Sequence, residues 1–189
     1  MTRLMYLALL GLLAGLAACG QKTVERDPDG HITTIVFSDG APPGTCYVMS
    51  LSPALLSVTG DYSPGEAVCY VFPRPLPETY PLLHLENQST TDHLYTARTS
   101  EITEAAQWGY AFRDTTCYVY PSPAPGCLPL YRLCKHGTWC HFYTIDEAER
   151  DRVIRLQGFT DEGIACYVPQ DPVEGARILY RLRKTPHGG

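Results

Sequence analysis

The chain has 189 residues and a formal net charge of −5. Its acidic and basic residues are interspersed and no basic run occurs, which excludes a nucleic-acid partner held by phosphate contacts. Thirteen tyrosines, 16 glycines and 16 prolines favour short strands joined by tight turns over long helices.

In chain order, Met1-Thr2-Arg3 is a short positive start, and Leu4 to Leu16 is apolar apart from the Tyr6 hydroxyl. That run is too short to span a bilayer comfortably and suits a signal peptide. It ends in Leu16-Ala17-Ala18-Cys19-Gly20, which resembles the lipobox of bacterial lipoproteins. The resemblance implies cleavage before Cys19, lipidation of its thiol and attachment to a membrane; several acyl chains give stable anchoring. Gly20 after the cysteine implies outer-membrane placement in a Gram-negative cell. The expected division is 1–18 signal peptide, 19–44 lipidated cysteine, tether and one extra strand (His31 to Phe37), and 45–189 a globular repeat domain. Residues 20–30 read as the tether.

Within 45–189 one unit recurs. Tyr47, Tyr95 and Tyr143 are spaced by 48 residues. Cys69, Cys117 and Cys166 each sit in a Cys-Tyr-Val run at nearly the same period. A second element, Leu82 to Leu85, Leu130 to Leu133 and Leu179 to Leu182, precedes the Tyr95 and Tyr143 strands but has no copy before Cys46. Its C-terminal copy has no strand after it. The expected resolution is closure, with the C-terminal strand completing the first unit and removing sheet edges. The fold class is strand-rich α+β: a closed pseudo-threefold domain of three repeats, each with about three strands and one short helix. A β-trefoil-like all-β fold is the alternative, favoured if the helices are absent. Asp146 as N-cap, Glu149 at the third helical position and Gly158 at the end predict one helix; Ser100 and Ser52-Pro53 mark the other two starts. Pro-rich stretches after each unit read as turns.

The stretch Pro129-Leu130-Tyr131-Arg132-Leu133, His141-Phe142-Tyr143-Thr144, Glu147-Ala148-Glu149 and Gly158 to Val168 resembles a repeat family of unknown function found in exported bacterial and fungal proteins. Its units read roughly PLYRLY, DHFYTT, EAE, GY, EGIAGYV. The second copy matches through Asp92-His93-Leu94-Tyr95-Thr96, and the first is eroded. The resemblance covers about residues 45–184 and implies an exported repeat domain with no established activity. Cys140 stands where the family often has Asp, and Thr45 where it has His.

Seven cysteines remain beside Cys19, an odd number, so at least one thiol stays free or pairs with another chain. Cys134 and Cys140 flank a glycine-containing turn and form the expected disulfide of a hairpin. Read with His136 and His141 as a zinc site, they match no common spacing, so no metal and no cofactor is assigned. Cys69, Cys117 and Cys166 repeat with the fold and read as small buried residues near the pseudo-threefold axis.

Alternating positions place His84, Asp92, His93, Tyr95, Arg132, His141, Tyr143 and Arg181 on one candidate ligand-binding face, with chemistry suited to a glycan. The competing reading is a polar network that fixes hairpin register, with the tyrosines packed between units. No Ser-His-Asp order, phosphate loop or HExxH helix stands out, so no catalytic residue is assigned and the chain does not read as an enzyme. The expected function is a membrane-anchored lipoprotein binding a glycan or another envelope component. The alternatives are a structural envelope lipoprotein and a hydrolase accessory or hydrolase.

Overall fold

The computed structural model of the protein describes residues 46–52, 62 and 65–184, with the backbone of 23–26 and 32–36. The expected signal peptide, Cys19, Thr45 and the helix following Ser52 lie outside the described residues. Residues 1–40 and 41–189 are two compact units. In the first, β1 (Thr23–Arg26) pairs antiparallel with β2 (Ile32–Val36), Thr23 opposite Val36. The extra strand is therefore present. The segment read as a tether contributes the strand opposite it, as the β-branched Thr23-Val24 pair favours.

The second unit runs β3 (Tyr47–Ser50), β4 (Glu66–Val71), β5 (Tyr80–Asn87), β6 (Asp92–Thr96), α1 (Ser100–Ala106), β7 (Tyr110–Val119), β8 (Cys127–Lys135), β9 (Cys140–Thr144), α2 (Glu147–Gln157), β10 (Thr160–Pro169) and β11 (Arg177–Arg183). It forms three antiparallel sheets of three strands, consistent with a pseudo-threefold arrangement. Each Leu-rich element is a central strand: β5 between β6 and β7, β8 between β9 and β10, β11 between β3 and β4. The C-terminal strand does complete the first unit, with Arg181 opposite Met49 and Leu179 opposite Cys69.

The expected three-repeat arrangement is present among the described residues, without closure into a barrel. The sheets do not merge into a closed barrel; single bridges, Phe72 to Tyr118 and Tyr120 to Tyr167, join neighbours. Each sheet carries a register shift between its central strand and its long outer strand, at Leu82/Leu83, Asp161/Gly163 and Leu179/Tyr180 among others. Such bulges bend a strand and stop pairing from propagating. The two helices argue against the all-β alternative.

Local signals explain α2 well. Asp146 accepts from the amides of Ala148 and Glu149, and Gly158 closes the helix at φ 71°. Glu149 does not complete a capping box: its carboxylate takes the Thr144 hydroxyl and Arg181 instead. In α1 the N-cap is Thr99 rather than Ser100, with no side-chain cap bond.

The main core gathers Leu82, Leu130 and Leu179 from the three central strands with Val71, Val119 and Val168 from the outer ones, all at 0% exposure. Burying each such side chain contributes roughly 1.5–3 kcal/mol. Cys69, Cys117 and Cys166 lie in the same cluster as buried free thiols, as their repetition implied. Burial pushes each thiol well above its ordinary pKa, and one of the other two adds to the shift. Smaller clusters seat α1 on Leu83, Leu85 and Leu94, and α2 on Leu133, Phe142 and Phe159.

Candidate functional site

The predicted ligand-binding face is brought together, but as an interior. Asp92, His93, Tyr95, Arg132, His141, Tyr143 and Arg181 are buried and His84 is nearly so. Their polar groups are spent on one another and on the backbone of the neighbouring sheet. The Tyr143 hydroxyl donates to Tyr95 O at 3.0 Å and accepts from Tyr95 N at 2.7 Å. One repeat earlier, the Tyr95 hydroxyl makes the same pair of bonds to Met49 O and N, at 3.3 and 2.9 Å. The third joint uses Arg181 instead, whose Nη1 donates to Tyr143 O at 2.9 Å.

The arginines form a repeating clamp. Arg132 donates to both oxygens of Glu101, from α1 of the preceding unit, and to Glu162 on β10. Arg181 likewise meets Glu149 from α2 and Glu66 on β4. Burial raises the Glu101 carboxyl, but the Arg132 bonds outweigh it and hold the group down at about 2. Desolvating a guanidinium is tolerable only with such complete pairing.

The histidines divide. His141 Nδ1 sits 2.5 Å from Asp92, which also accepts from the His141 amide and the Tyr110 hydroxyl. Burial disfavours the imidazolium, yet bonds to Asp92, Cys134 and Glu162 overcome it and raise His141 well above its ordinary range. His93, one repeat earlier, touches His84 at 2.9 Å and the Tyr62 hydroxyl at 3.4 Å. Burial, then the neighbouring His84, lowers it to about 4. One proton placement satisfies the whole chain: Tyr62 donates to His93, His93 to His84, and His84 to Asp114 at 3.4 Å.

The disulfide also differs from the expected one. Cys140 is bonded to Cys46, joining β9 to the strand one unit on, and Cys134 is a free buried thiol. The β8–β9 register explains this: Cys134 lies opposite His141 and Cys140 opposite Lys135, so strand alternation sends the two sulfurs to opposite faces. The four-residue zinc reading with His136 falls for the same reason. A different set converges: Cys134 Sγ, a His141 ring nitrogen and a Glu162 oxygen all lie within 4.8 Å of one another.

Sequence reasoning missed the exposed aromatic surface. Trp108 and Trp139, the chain's two tryptophans, stack with ring centroids 6.2 Å apart and planes at 25°. They remain 69% and 43% exposed. Trp108 follows α1; Trp139 ends the β8–β9 turn at φ 50°, a left-handed conformation costly for a bulky residue. Asn87 braces the surface by donating to Trp108 O at 2.8 Å and accepting from the Ser89 and Thr90 amides. With Thr90 and Tyr110 these residues line a cleft of about 150 Å³. The Thr90 hydroxyl is buried there without a protein partner. The available signal was two tryptophans in polar turns, where core packing does not call for them.

Among known families, residues 50–186 match one described as a domain of unknown function, DUF5648. No curated protein and no solved structure matches the chain.

Proposed function

Because this chain belongs to the DUF5648 family, whose description assigns no activity, we propose from its own chemistry that it is an exported lipoprotein, anchored through Cys19, that binds a cell-envelope glycan at the Trp108–Trp139 cleft. The carrying observation is the stacked, exposed indole pair beside an unpartnered hydroxyl. Large aromatic faces left in water favour a flat amphipathic partner. A sugar ring offers such a face in its axial C–H groups, and one of its hydroxyls would supply the partner that the Thr90 hydroxyl lacks. The cleft is smaller than the roughly 300–1,000 Å³ of sites that engulf a small molecule. It therefore suits the edge or terminal unit of a longer glycan. The Cys46–Cys140 disulfide supports an oxidising, exported environment. No helix among the described residues is long and apolar enough to cross a membrane.

The test is a glycan array probed with the mature chain and with its Trp108→Ala and Trp139→Ala variants. We expect specific binding that drops at least tenfold in each variant while the melting midpoint holds. An array without specific binding sinks the glycan reading and favours the structural envelope role, which the buried polar network supports. The anchor is tested separately. Cys19→Ala should lose fatty-acid labelling in cells, and retained labelling would overturn the lipoprotein reading.

A further inference from the structure

We propose that Cys134, His141 and Glu162 form a binding site for one divalent transition-metal ion of the zinc class. The three residues come from three adjacent strands of one sheet. Cys134 on β8 lies directly opposite His141 on β9, and Glu162 sits in the β10 bulge between Asp161 and Gly163. Gly163, at φ 90°, makes that bulge possible. The three ligand atoms lie within 4.8 Å of one another, and His141 Nε2 is 3.3 Å from Glu162 Oε2. A tetrahedral ion with bonds of about 2.0–2.3 Å needs donors roughly 3.3–3.8 Å apart. Only small side-chain movements separate the present geometry from that one.

The surroundings fit a metal ligand set. His141 gives its Nδ1 to Asp92 at 2.5 Å, leaving Nε2 for the site. Asp92 is itself fixed by the Tyr110 hydroxyl and the His141 amide. A carboxylate behind a ligating histidine sets its tautomer and orientation. Cys134 and His141 are buried, whereas the Glu162 side chain is 28% exposed, so an ion enters from that side. Three protein donors leave a fourth position for water. Sulfur and imidazole select zinc-class ions over magnesium or calcium. With Cys140 held by Cys46, no hairpin disulfide consumes the Cys134 thiol.

Charge balances as well. Binding M²⁺ releases the Cys134 thiol proton and the proton between His141 Nε2 and Glu162, so the pocket's net charge does not change. Arg132 remains on Glu162, and Glu101 remains on Arg132. The sheet one repeat earlier is an internal contrast. Its matching positions hold Glu86, His93 and Arg113, and Glu86 and Arg113 form a 2.8 Å ion pair. A guanidinium there occupies the place of the third ligand, so that sheet does not repeat the donor set.

The experiment uses the mature chain with its disulfide intact, stripped by chelator and titrated with Co²⁺, then competed with Zn²⁺. We expect one ion per chain, a thiolate-to-cobalt charge-transfer band in the near ultraviolet, and displacement by Zn²⁺. Cys134→Ser should abolish the band. Glu162→Gln should weaken binding at least tenfold in a chain that still melts cooperatively, at a lower midpoint because Arg132 keeps Glu101 but loses one carboxylate. Cys127→Ser, at a free thiol elsewhere, should change neither. Absence of a charge-transfer band in the wild-type chain would overturn the proposal. So would a band that survives Cys134→Ser or disappears in Cys127→Ser.

Discussion

Two joints between the repeats are built alike and the third is not. Glu101 takes Arg132 across one joint, and Glu149 takes Arg181 across the next. At the remaining joint the central strand carries His84, which bonds to His93 and Asp114. The sequence position one repeat before Glu101 is Pro53, which brings no carboxylate. Arginine and glutamate are therefore absent together. Keeping either one alone would leave a buried charge without its partner, at a cost of about 3–5 kcal/mol. This joint therefore has no arginine–glutamate clamp, and a hydrogen-bonded chain from Tyr62 through His93 and His84 to Asp114 stands in its place.

The largest effect on this contrast should come from Arg181→Met. It leaves Glu149 and Glu66 facing an apolar side chain, and denaturant unfolding should show a loss of about 3–5 kcal/mol. Adding Glu149→Gln should restore at least about 1 kcal/mol, since the stranded carboxylate is neutralised. A strictly additive double variant would mean that the clamp is not a coupled unit.

Acid should separate the joints more gently. His93 has its pKa lowered from 6.5 to about 4. Below pH 6.5 the unfolded chain takes up a proton that the folded chain refuses. Stability present above 6.5 is therefore lost as pH falls towards 4, by up to about 3 kcal/mol. Glu101 is held at about 2 against an ordinary 4.5. Its contribution is present above 4.5 and fades only between 4.5 and 2. Stability measured against pH should show a smaller first loss in His93→Gln than in the wild-type chain, the remainder belonging to His84, whose pKa burial also lowers, with the second loss retained. An unchanged slope from 6.5 to 4 in that variant would assign the loss to another group. His141 has the opposite sign: its raised pKa makes its contribution complete below 6.5 and lost as pH rises through the folded value.

The 48-residue period carries the central strands, their partners and the return of the C-terminal strand to the first unit. These follow from the chain because antiparallel pairing and core-facing alternation are local patterns that repeat with the sequence. The α2 boundaries follow for the same reason, since Asp146 and Gly158 act within one turn of helix. Tertiary structure alone decided the exposure of the Tyr/Arg/His face, the partner of Cys140 and the meeting of the tryptophans. Each depends on a contact across a joint. Tyr143 reaches Tyr95, Cys140 reaches Cys46, and Trp139 reaches Trp108. Alternation along a strand says which residues share a face, but not whether water or the next repeat covers it. Here the next repeat does, so a pattern that resembles a binding surface is the mortar between units, and the open surface falls to two turns outside the pattern.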